Sequence, residues 1–200
     1  MMKKLFSLFV ALFVTTALWA HDFEVNGIYY NYRTGNDVEV TYKGSDCTSY
    51  YDEYSGDIII PSSVTYRGTT YNVTGVASQA FSSCGSLTSV TMPNSVVKLG
   101  GGVFYDCYNL KSVTLSANIT SLPTYVVTYD DDPDELFGFF ANCYSLESIV
   151  IPEGVTTIGD KAFESCTSLK EIILPNTVTN LGKAAFYRCS KLRSVHYPKI

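Results

Sequence analysis

Apolar residues recur in this chain at fixed spacings, and one phrase of positions occurs five times between residues 81 and 197. Each copy has a phenylalanine, a cysteine three positions later, a leucine three positions after that, and then an alternating apolar pair. The copies begin at Phe81, Phe104, Phe140, Phe163 and Phe186, at steps of 23, 36, 23 and 23 residues. A fixed period in the twenties is typical of a solenoid, whose units bury their apolar faces by stacking on one another.

The alternation inside each copy predicts one short β-strand. In residues 89–92, Val90 and Met92 alternate with Ser89 and Thr91, and Pro93 ends the strand. Identical positions should stack at the spacing of neighbouring strands, about 4.8 Å. We therefore expect short parallel β-strands on one face of the solenoid. Mostly irregular or short helical segments are expected on the other face.

The chain divides into three predicted regions. Residues 1–20 have two lysines before an apolar run and a small residue at the end, which is typical of a secretory signal peptide. Residues 21–75 lack the phrase and alternate like strands around turn signals such as Asn26-Gly27, so we predict an N-terminal β-hairpin cap there. Residues 76–200 are predicted to form an array of five units, with a 13-residue insertion between Leu122 and Phe140.

Charge and the signal peptide together restrict the partners. The 200-residue chain has 14 basic and 19 acidic side chains, and loss of residues 1–20 removes two lysines, which gives 12 − 19 = −7. An acidic protein without a basic stripe is a poor partner for nucleic acid or an anionic membrane. We expect an exported protein, at the cell surface or extracellular, with no membrane insertion after signal cleavage.

Five of the six cysteines occupy the same repeat position. Stacked neighbours would lie near enough for disulfides. A column of buried reduced thiols fits the repeat better, because free cysteine behaves as a small hydrophobe. The chain has no Cys-x-x-Cys motif, and its histidines are His21 and His196, so neither a zinc site nor a Ser-His-Asp arrangement is expected. We predict that the protein is not an enzyme and has no catalytic residues, no metal and no cofactor.

The insertion carries an acidic run at residues 130–135. Carboxylates suit Ca²⁺, but Pro133 interrupts the run and the glycine of an EF-hand loop is missing. A solvated acidic loop is the favoured interpretation, and its position in the repeat predicts that it projects away from the strands.

The candidate binding surface is the outward side of the strands, where solenoids commonly bind ligands. It consists of two columns of residues, which are Ser89, Ser112, Ser148, Glu171 and Ser194 in the first, and Thr91, Thr114, Val150, Ile173 and His196 in the second.

Tyrosines of the predicted cap form a second candidate surface. Seven of the 16 tyrosines lie within residues 29–54. Tyrosine is favoured both at binding surfaces and in strands. We predict that the segment with Tyr50, Tyr51 and Tyr54 is the most exposed part.

The five in-register phrases, together with the segment at residues 22–30, resemble the BspA-type bacterial surface leucine-rich repeat family. The resemblance covers roughly residues 23–198. It implies a leucine-rich repeat solenoid that is exported or attached to the cell surface. Some members of the family are associated with adhesion to host matrix proteins such as fibronectin and fibrinogen.

Two functions follow as hypotheses. The first is a non-enzymatic binding module at the bacterial cell surface that recognises a protein or glycan ligand. The second is a structural spacer or a self-associating envelope repeat protein. It is suggested by the stop at Ile200, where an uncapped last strand would allow end-to-end self-association.

Overall fold

The computed structural model describes residues 21–44, 52–129 and 132–196. These ranges contain sixteen β-strands and no α-helix. The strands are β1 (Phe23–Val25), β2 (Ile28–Tyr32), β3 (Asp37–Thr41), β4 (Gly56–Ile59), β5 (Ser63–Tyr66), β6 (Thr69–Val76), β7 (Leu87–Thr91), β8 (Lys98–Leu99), β9 (Ser112–Thr114), β10 (Ser121–Leu122), β11 (Tyr125–Tyr129), β12 (Asp132–Phe137), β13 (Thr157–Ile158), β14 (Glu171–Ile173), β15 (Asn180–Leu181) and β16 (Ser194–His196).

The N-terminal strands form one sheet in the order β1-β2-β3-β6-β5. It contains two antiparallel hairpins, β1–β2 and β5–β6, joined by parallel pairing of β3 with β6. Apolar side chains with period two face its interior, where Phe23 stacks on Tyr30 at 5.3 Å and on Tyr66 at 4.5 Å between ring centroids. The predicted hairpin is therefore part of a larger sheet.

Strand β6 connects this sheet to the solenoid. Its first half pairs with β5, and its last residues, Gly75 and Val76, pair in parallel with Lys98 and Leu99 of β8. The same kind of short strand recurs later, where β10, β13 and β15 form a parallel ladder. The second apolar segment of each unit is thus a two-residue strand.

The main strands of the units form the predicted parallel column. Strand β7 pairs with β9 on one side and with β4 on the other. Further along, β14 pairs with β16, and Val150 forms a parallel bridge with Ile173. Because β4 lies at residues 56–59, the column begins within the segment that the sequence pattern assigned to the cap.

Mostly irregular or short helical segments were expected opposite the strands, and the described residues have tight turns there and no α-helix. In each unit the N–H of the cysteine bonds to the carbonyl of the phenylalanine three residues earlier, as from Cys107 to Phe104 at 3.3 Å. The residue between them, two after the phenylalanine, has a positive φ of 58–62° in all five units. A left-handed residue cannot continue a right-handed helix, so each turn ends after one hydrogen bond.

Two side-chain ladders fill the core between the faces. The phenylalanines stack from unit to unit, and the centroids of neighbouring rings lie 5.2–5.5 Å apart. The thiols lie beside them, and Cys107 Sγ donates to the carbonyl oxygen of Phe81 at 2.9 Å. The same bond joins Cys143 to Phe104, Cys166 to Phe140 and Cys189 to Phe163. These cysteines and Cys84 are free thiols, in agreement with the reduced column.

The insertion forms a β-hairpin of β11 and β12, where a loop was expected. Tyr125 and Phe137 pair at its base, and the Phe137 ring packs on Tyr105 at 4.7 Å. The aromatic contact anchors the hairpin to the unit before it. Residues 130 and 131 of the acidic run lie outside the described residues.

Candidate functional site

Most of the strand residues predicted to point outward are exposed, but in β16 Ser194 is half-buried while Val195, predicted to point inward, is 37% exposed. In β9, Ser112 and Thr114 are exposed while Val113 between them is buried, and Glu171, Ile172 and Ile173 of β14 repeat this alternation. The pairing aligns Ser89 with Ser112, Thr91 with Thr114, and Ile173 with His196. Ser148 and Val150 are exposed in the unit between them. The two columns therefore form one side of the molecule, and we call them the strand face.

Strand β4 extends the strand face by one row that the repeat phrase did not reveal. Asp57 aligns with Ser89, and Ile59 aligns with Thr91. Asp57 Oδ1 accepts hydrogen bonds from Ser89 Oγ at 2.6 Å and from Thr88 Oγ1 at 2.7 Å. These hydroxyl donors, Ser89 first, lower the pKa of the Asp57 carboxyl, so it is ionised at neutral pH.

The two halves of the strand face differ in chemistry. The N-terminal half has the Asp57 carboxylate, the hydroxyls of four Ser and Thr residues and one exposed aliphatic side chain, Ile59. The C-terminal half has two adjacent aliphatic side chains, Val150 with 81% of its surface exposed and Ile173 with 56%. His196 follows Ile173 in register and is exposed. An adjacent pair of exposed aliphatic residues is a feature of interaction surfaces.

The strand ladder is interrupted between these halves. Among the described residues, β9 pairs with β7, and no pairing joins Thr114 to Val150. The insertion hairpin lies between these two rows in the sequence. The turns still stack across it, since Asp106 N donates to the Ala141 carbonyl at 2.9 Å.

Charged residues flank the strand face on one side. Lys170 Nζ lies 2.6 Å from Glu147 Oε2, and both side chains are more than half exposed. The hydrogen bond from Lys170 and its positive charge lower the pKa of Glu147. Surface pairs of this kind contribute little to stability, so they offer charge to a ligand at little structural cost.

The tyrosine prediction for the cap requires a correction. Tyr54 is buried with 1% of its surface exposed. Its hydroxyl donates to the Thr41 carbonyl at 2.6 Å and accepts from the Tyr29 N–H at 3.1 Å. A ring that supplies both bonds and packs in the core cannot contact a ligand. Tyr50 and Tyr51 lie outside the described residues.

A stacked pair of exposed tyrosines was not predicted. The rings of Tyr108 and Tyr144 lie 5.4 Å apart and 8° from parallel, with 44% and 43% of their surfaces exposed. They precede Leu110 and Leu146 in the turns that lead to the strands. The signal was present in the sequence, because both follow the repeat cysteine directly. Burial raises the pKa of Tyr108, so its hydroxyl is protonated at neutral pH.

The five thiols that the structure describes are held in their protonated form. Burial raises the pKa of Cys84 to about 12 and that of Cys189 to about 11. Thiols that stay protonated are poor nucleophiles and poor metal ligands. Within the ranges that the structure describes, no three His, Cys, Asp or Glu side chains come together as a metal site.

Those ranges also contain no helix with the length and apolar character needed to cross a membrane.

Comparison with known proteins shows which family has this architecture. The sequence model of the BspA-type leucine-rich repeat region matches residues 50–131 and 137–200 in six copies. This is one copy more than the five units predicted from the phrase, and the match begins ahead of β4. No curated protein matches the chain.

Solved structures of bacterial proteins share the fold. A leucine-rich cell surface protein of Faecalibacterium prausnitzii A2-165 is 31% identical, with a TM-score of 0.67 over 88% of this chain and 39% of that one. A leucine-rich repeat protein of Bacteroides ovatus is 28% identical, with a TM-score of 0.74 over 89% of this chain and 42% of that one. The T. pallidum leucine-rich repeat protein is 27% identical, with a TM-score of 0.67 over 86% of this chain and 70% of that one.

This chain spans about two-fifths of the length of the first two structures. The family model, by contrast, covers most of this chain. With the strand column, the phenylalanine ladder and the cysteine ladder all in register, the protein belongs to the BspA-type leucine-rich repeat family.

Proposed function

We propose that this protein is an exported, non-enzymatic binding module at the bacterial cell surface that recognises a protein ligand through its strand face. Membership of the BspA-type family and similarity to a bacterial protein described as a cell surface protein support the location. The stretch at residues 1–20 that is typical of a signal peptide supports export.

The exposed pair Val150 and Ile173 carries the proposal. Val150 and Ile173 pair in parallel, in a column that continues to His196. Leaving two aliphatic side chains in water has no structural benefit, and each would contribute roughly 1.5–3 kcal/mol if a partner buried it fully. The hydroxyls and Asp57 at the other end supply directional hydrogen bonds. A surface that combines a pair of exposed aliphatic side chains with hydroxyl and charged groups suits a protein segment better than a sugar alone.

The dimensions of the strand face indicate the size of the ligand contact. Six rows at about 4.8 Å span about 24 Å. With two outward side chains per row, the contact is well below the roughly 800 Å² per partner of a standard protein interface. The ligand is therefore a loop or extended segment of a larger protein.

Binding of purified residues 21–200 to immobilised host matrix proteins, including fibronectin and fibrinogen, and to a glycan array tests the proposal. Val150→Asp and Ile173→Asp should each weaken protein binding at least about tenfold, since a charge replaces a buried contact. Val97→Asp is the matched control, because Val97 is 46% exposed but precedes β8 in the other sheet. Equal losses in all three variants, or binding only to glycans, would contradict the proposal.

A further inference from the structure

Strand β4 has one edge with which no other strand of the described residues pairs. It forms one end of the sheet β4-β7-β9 and pairs with β7 on one side. No strand of the described ranges pairs with its other side. A strand edge of this kind can accept another extended chain.

The hydrogen bonds show which backbone groups lie at this edge. The N–H of Gly56 donates to Ser86, and the N–H of Ile60 donates to Thr91, both toward β7. Because successive residues of a strand direct their backbone groups to opposite sides, Asp57 and Ile59 direct theirs away from β7. In the described part of the chain, no hydrogen bond reaches the N–H or C=O of either residue.

A cavity of about 500 Å³ lies beside this edge. None of its lining residues comes from β7, so it is on the unpaired side. Its volume is within the range of ligand sites, about 300–1,000 Å³. Its lining combines apolar side chains from three parts of the chain with one charged group, and the residues that matter are Val25, Ile28, Asp57, Ile59, Pro61 and Val64.

Two features of this lining select the ligand. Ile59 is 73% exposed although it is a large aliphatic residue, and it borders the cavity. Asp57 is the one charged side chain of the lining, and its carboxylate is ionised because Ser89 and Thr88 donate to it. The site therefore offers backbone pairing, an apolar hollow and a negative charge.

We propose that β4 and this cavity form a second binding site, which accepts an extended peptide by strand addition. The peptide pairs with the outward N–H and C=O groups of Asp57 and Ile59. It places an aliphatic side chain in the cavity and a basic side chain against Asp57. In this binding mode the main-chain bonds supply affinity and the pocket supplies sequence preference. The site shares Asp57 and Ile59 with the first row of the strand face, but it does not include Val150 or Ile173, on which the proposed function rests.

A peptide rather than a second copy of β4 is the proposed occupant. Pairing of two β4 edges would bring two Asp57 carboxylates to the same ladder, and like charges disfavour such a pairing. It would also leave the cavity without a side chain to fill it. A peptide of different sequence avoids the charge repulsion and can place a side chain in the cavity.

Ile59→Pro is the selective variant, because it removes an outward N–H without removing a ladder bond to β7. Proline is tolerated on edge strands when its nitrogen faces away from the partner strand. Ile59→Ala keeps the N–H and serves as the matched control. Thermal unfolding of all three proteins shows whether each is folded.

The test is selection of a phage-displayed random peptide library on residues 21–200. We expect enriched peptides that alternate apolar and polar residues and carry a basic residue. A synthetic copy of the most enriched peptide should bind Ile59→Pro at least about tenfold more weakly than the wild type, because one main-chain bond is lost and the proline ring obstructs the edge. Ile59→Ala should lose less affinity than Ile59→Pro, because it loses only an apolar contact and keeps the N–H, and Val150→Asp should retain all of the affinity.

Direct evidence comes from the peptide itself, which also covers the case in which Ile59→Pro does not fold. N-methylation on the peptide residues that face β4 should abolish binding, while N-methylation on the alternate residues should not. The absence of enriched peptides, equal binding to Ile59→Pro, or equal effects of both methylations would overturn the proposal. So would a concentration-dependent dimer that Ile59→Pro dissociates, since that result would assign the edge to a second copy.

Discussion

The ring of Tyr54 lies 4.6 Å from the ring of Phe81, between ring centroids, at the start of the phenylalanine ladder. Its hydroxyl reaches the other way, into the N-terminal sheet, where it bonds to Thr41 and Tyr29. One side chain therefore joins the N-terminal sheet to the repeat array by both packing and hydrogen bonds.

Tyr54→Phe is expected to destabilise the protein by about 1–3 kcal/mol, because a buried carbonyl and a buried N–H lose their partner. The ring is kept, so packing against Phe81 is unchanged. Urea unfolding followed by far-UV circular dichroism measures the effect. Tyr187→Phe is the matched control, since Tyr187 is 53% exposed, and it should change stability by less than about 0.5 kcal/mol. Equal stability of the two variants would show that the hydroxyl of Tyr54 has no structural role.

The thiol ladder predicts an order of reactivity. In a Cys47→Ser background, iodoacetamide at about pH 8 should modify Cys189 first, because this thiol is only partly buried and its pKa, about 11, is lower than the pKa of about 12 at Cys84. Cys107 and Cys143 should react only after unfolding, since they are fully buried and burial raises their pKa. Mass spectrometry of timed digests gives the order. Rapid modification of Cys107 in the folded protein would contradict the ladder.

The raised pKa of Asp106 should make the stability of the protein depend on pH. Burial raises the pKa of Asp106 despite the hydrogen bond from Asn142 Nδ2 at 2.7 Å. The folded state thus keeps this proton to a higher pH than the unfolded chain, whose Asp pKa is about 3.9. The contribution to stability is complete below that pH and is lost as pH rises through the folded-state pKa. Asp106→Asn cannot ionise, so it should gain stability relative to the wild type as pH rises from about 3 to neutrality.

Asp57→Asn is the opposite-sign control for this experiment. Hydrogen bonds from Ser89 and Thr88 lower the pKa of Asp57, so its contribution is present above the unfolded pKa and is lost as pH falls through the folded value. The wild type should therefore gain stability relative to Asp57→Asn as pH rises. Urea unfolding at a series of pH values compares the three proteins. Parallel pH profiles for all three would refute both assignments.

Gly138 lies where the neighbouring unit leaves no room for a side chain. A methyl group added there would overlap the carbonyl oxygen of Lys161 in the next unit. Gly138→Ala should destabilise the protein by about 1–3 kcal/mol, the usual cost of overpacking, and differential scanning calorimetry measures it. Gly85→Ala is the control, because its methyl group would meet its nearest neighbour, the Tyr108 ring, at an ordinary 3.4 Å. A stable Gly138→Ala variant would mean that adjacent units can move apart at no cost.

Much of the architecture could be predicted from residue spacing, because a solenoid places the same residue type at the same depth in every unit. The buried columns of Phe81 and Cys84 and the outward positions of Ser112 and Thr114 follow from that rule. Membership of the BspA-type family was likewise predicted and is confirmed. The absence of helices in the described residues was not predicted, because left-handed residues such as Asp106 and Ser165 carry no reliable signal in their type.

The features that repeat could be read from residue spacing alone: the period, the parallel strands, the thiol column and the outward columns with Val150 and Ile173. The features that occur once depend on how the whole chain folds. Tyr54 is buried by contacts with Thr41, Tyr29 and Phe81. These partners lie 13 to 27 residues away in the chain, so residue spacing does not reveal them. Strand β4 joins the column through pairing with β7 about 32 residues later. Periodicity encodes contacts between equivalent positions, whereas contacts between non-equivalent positions depend on the folded path of the whole chain.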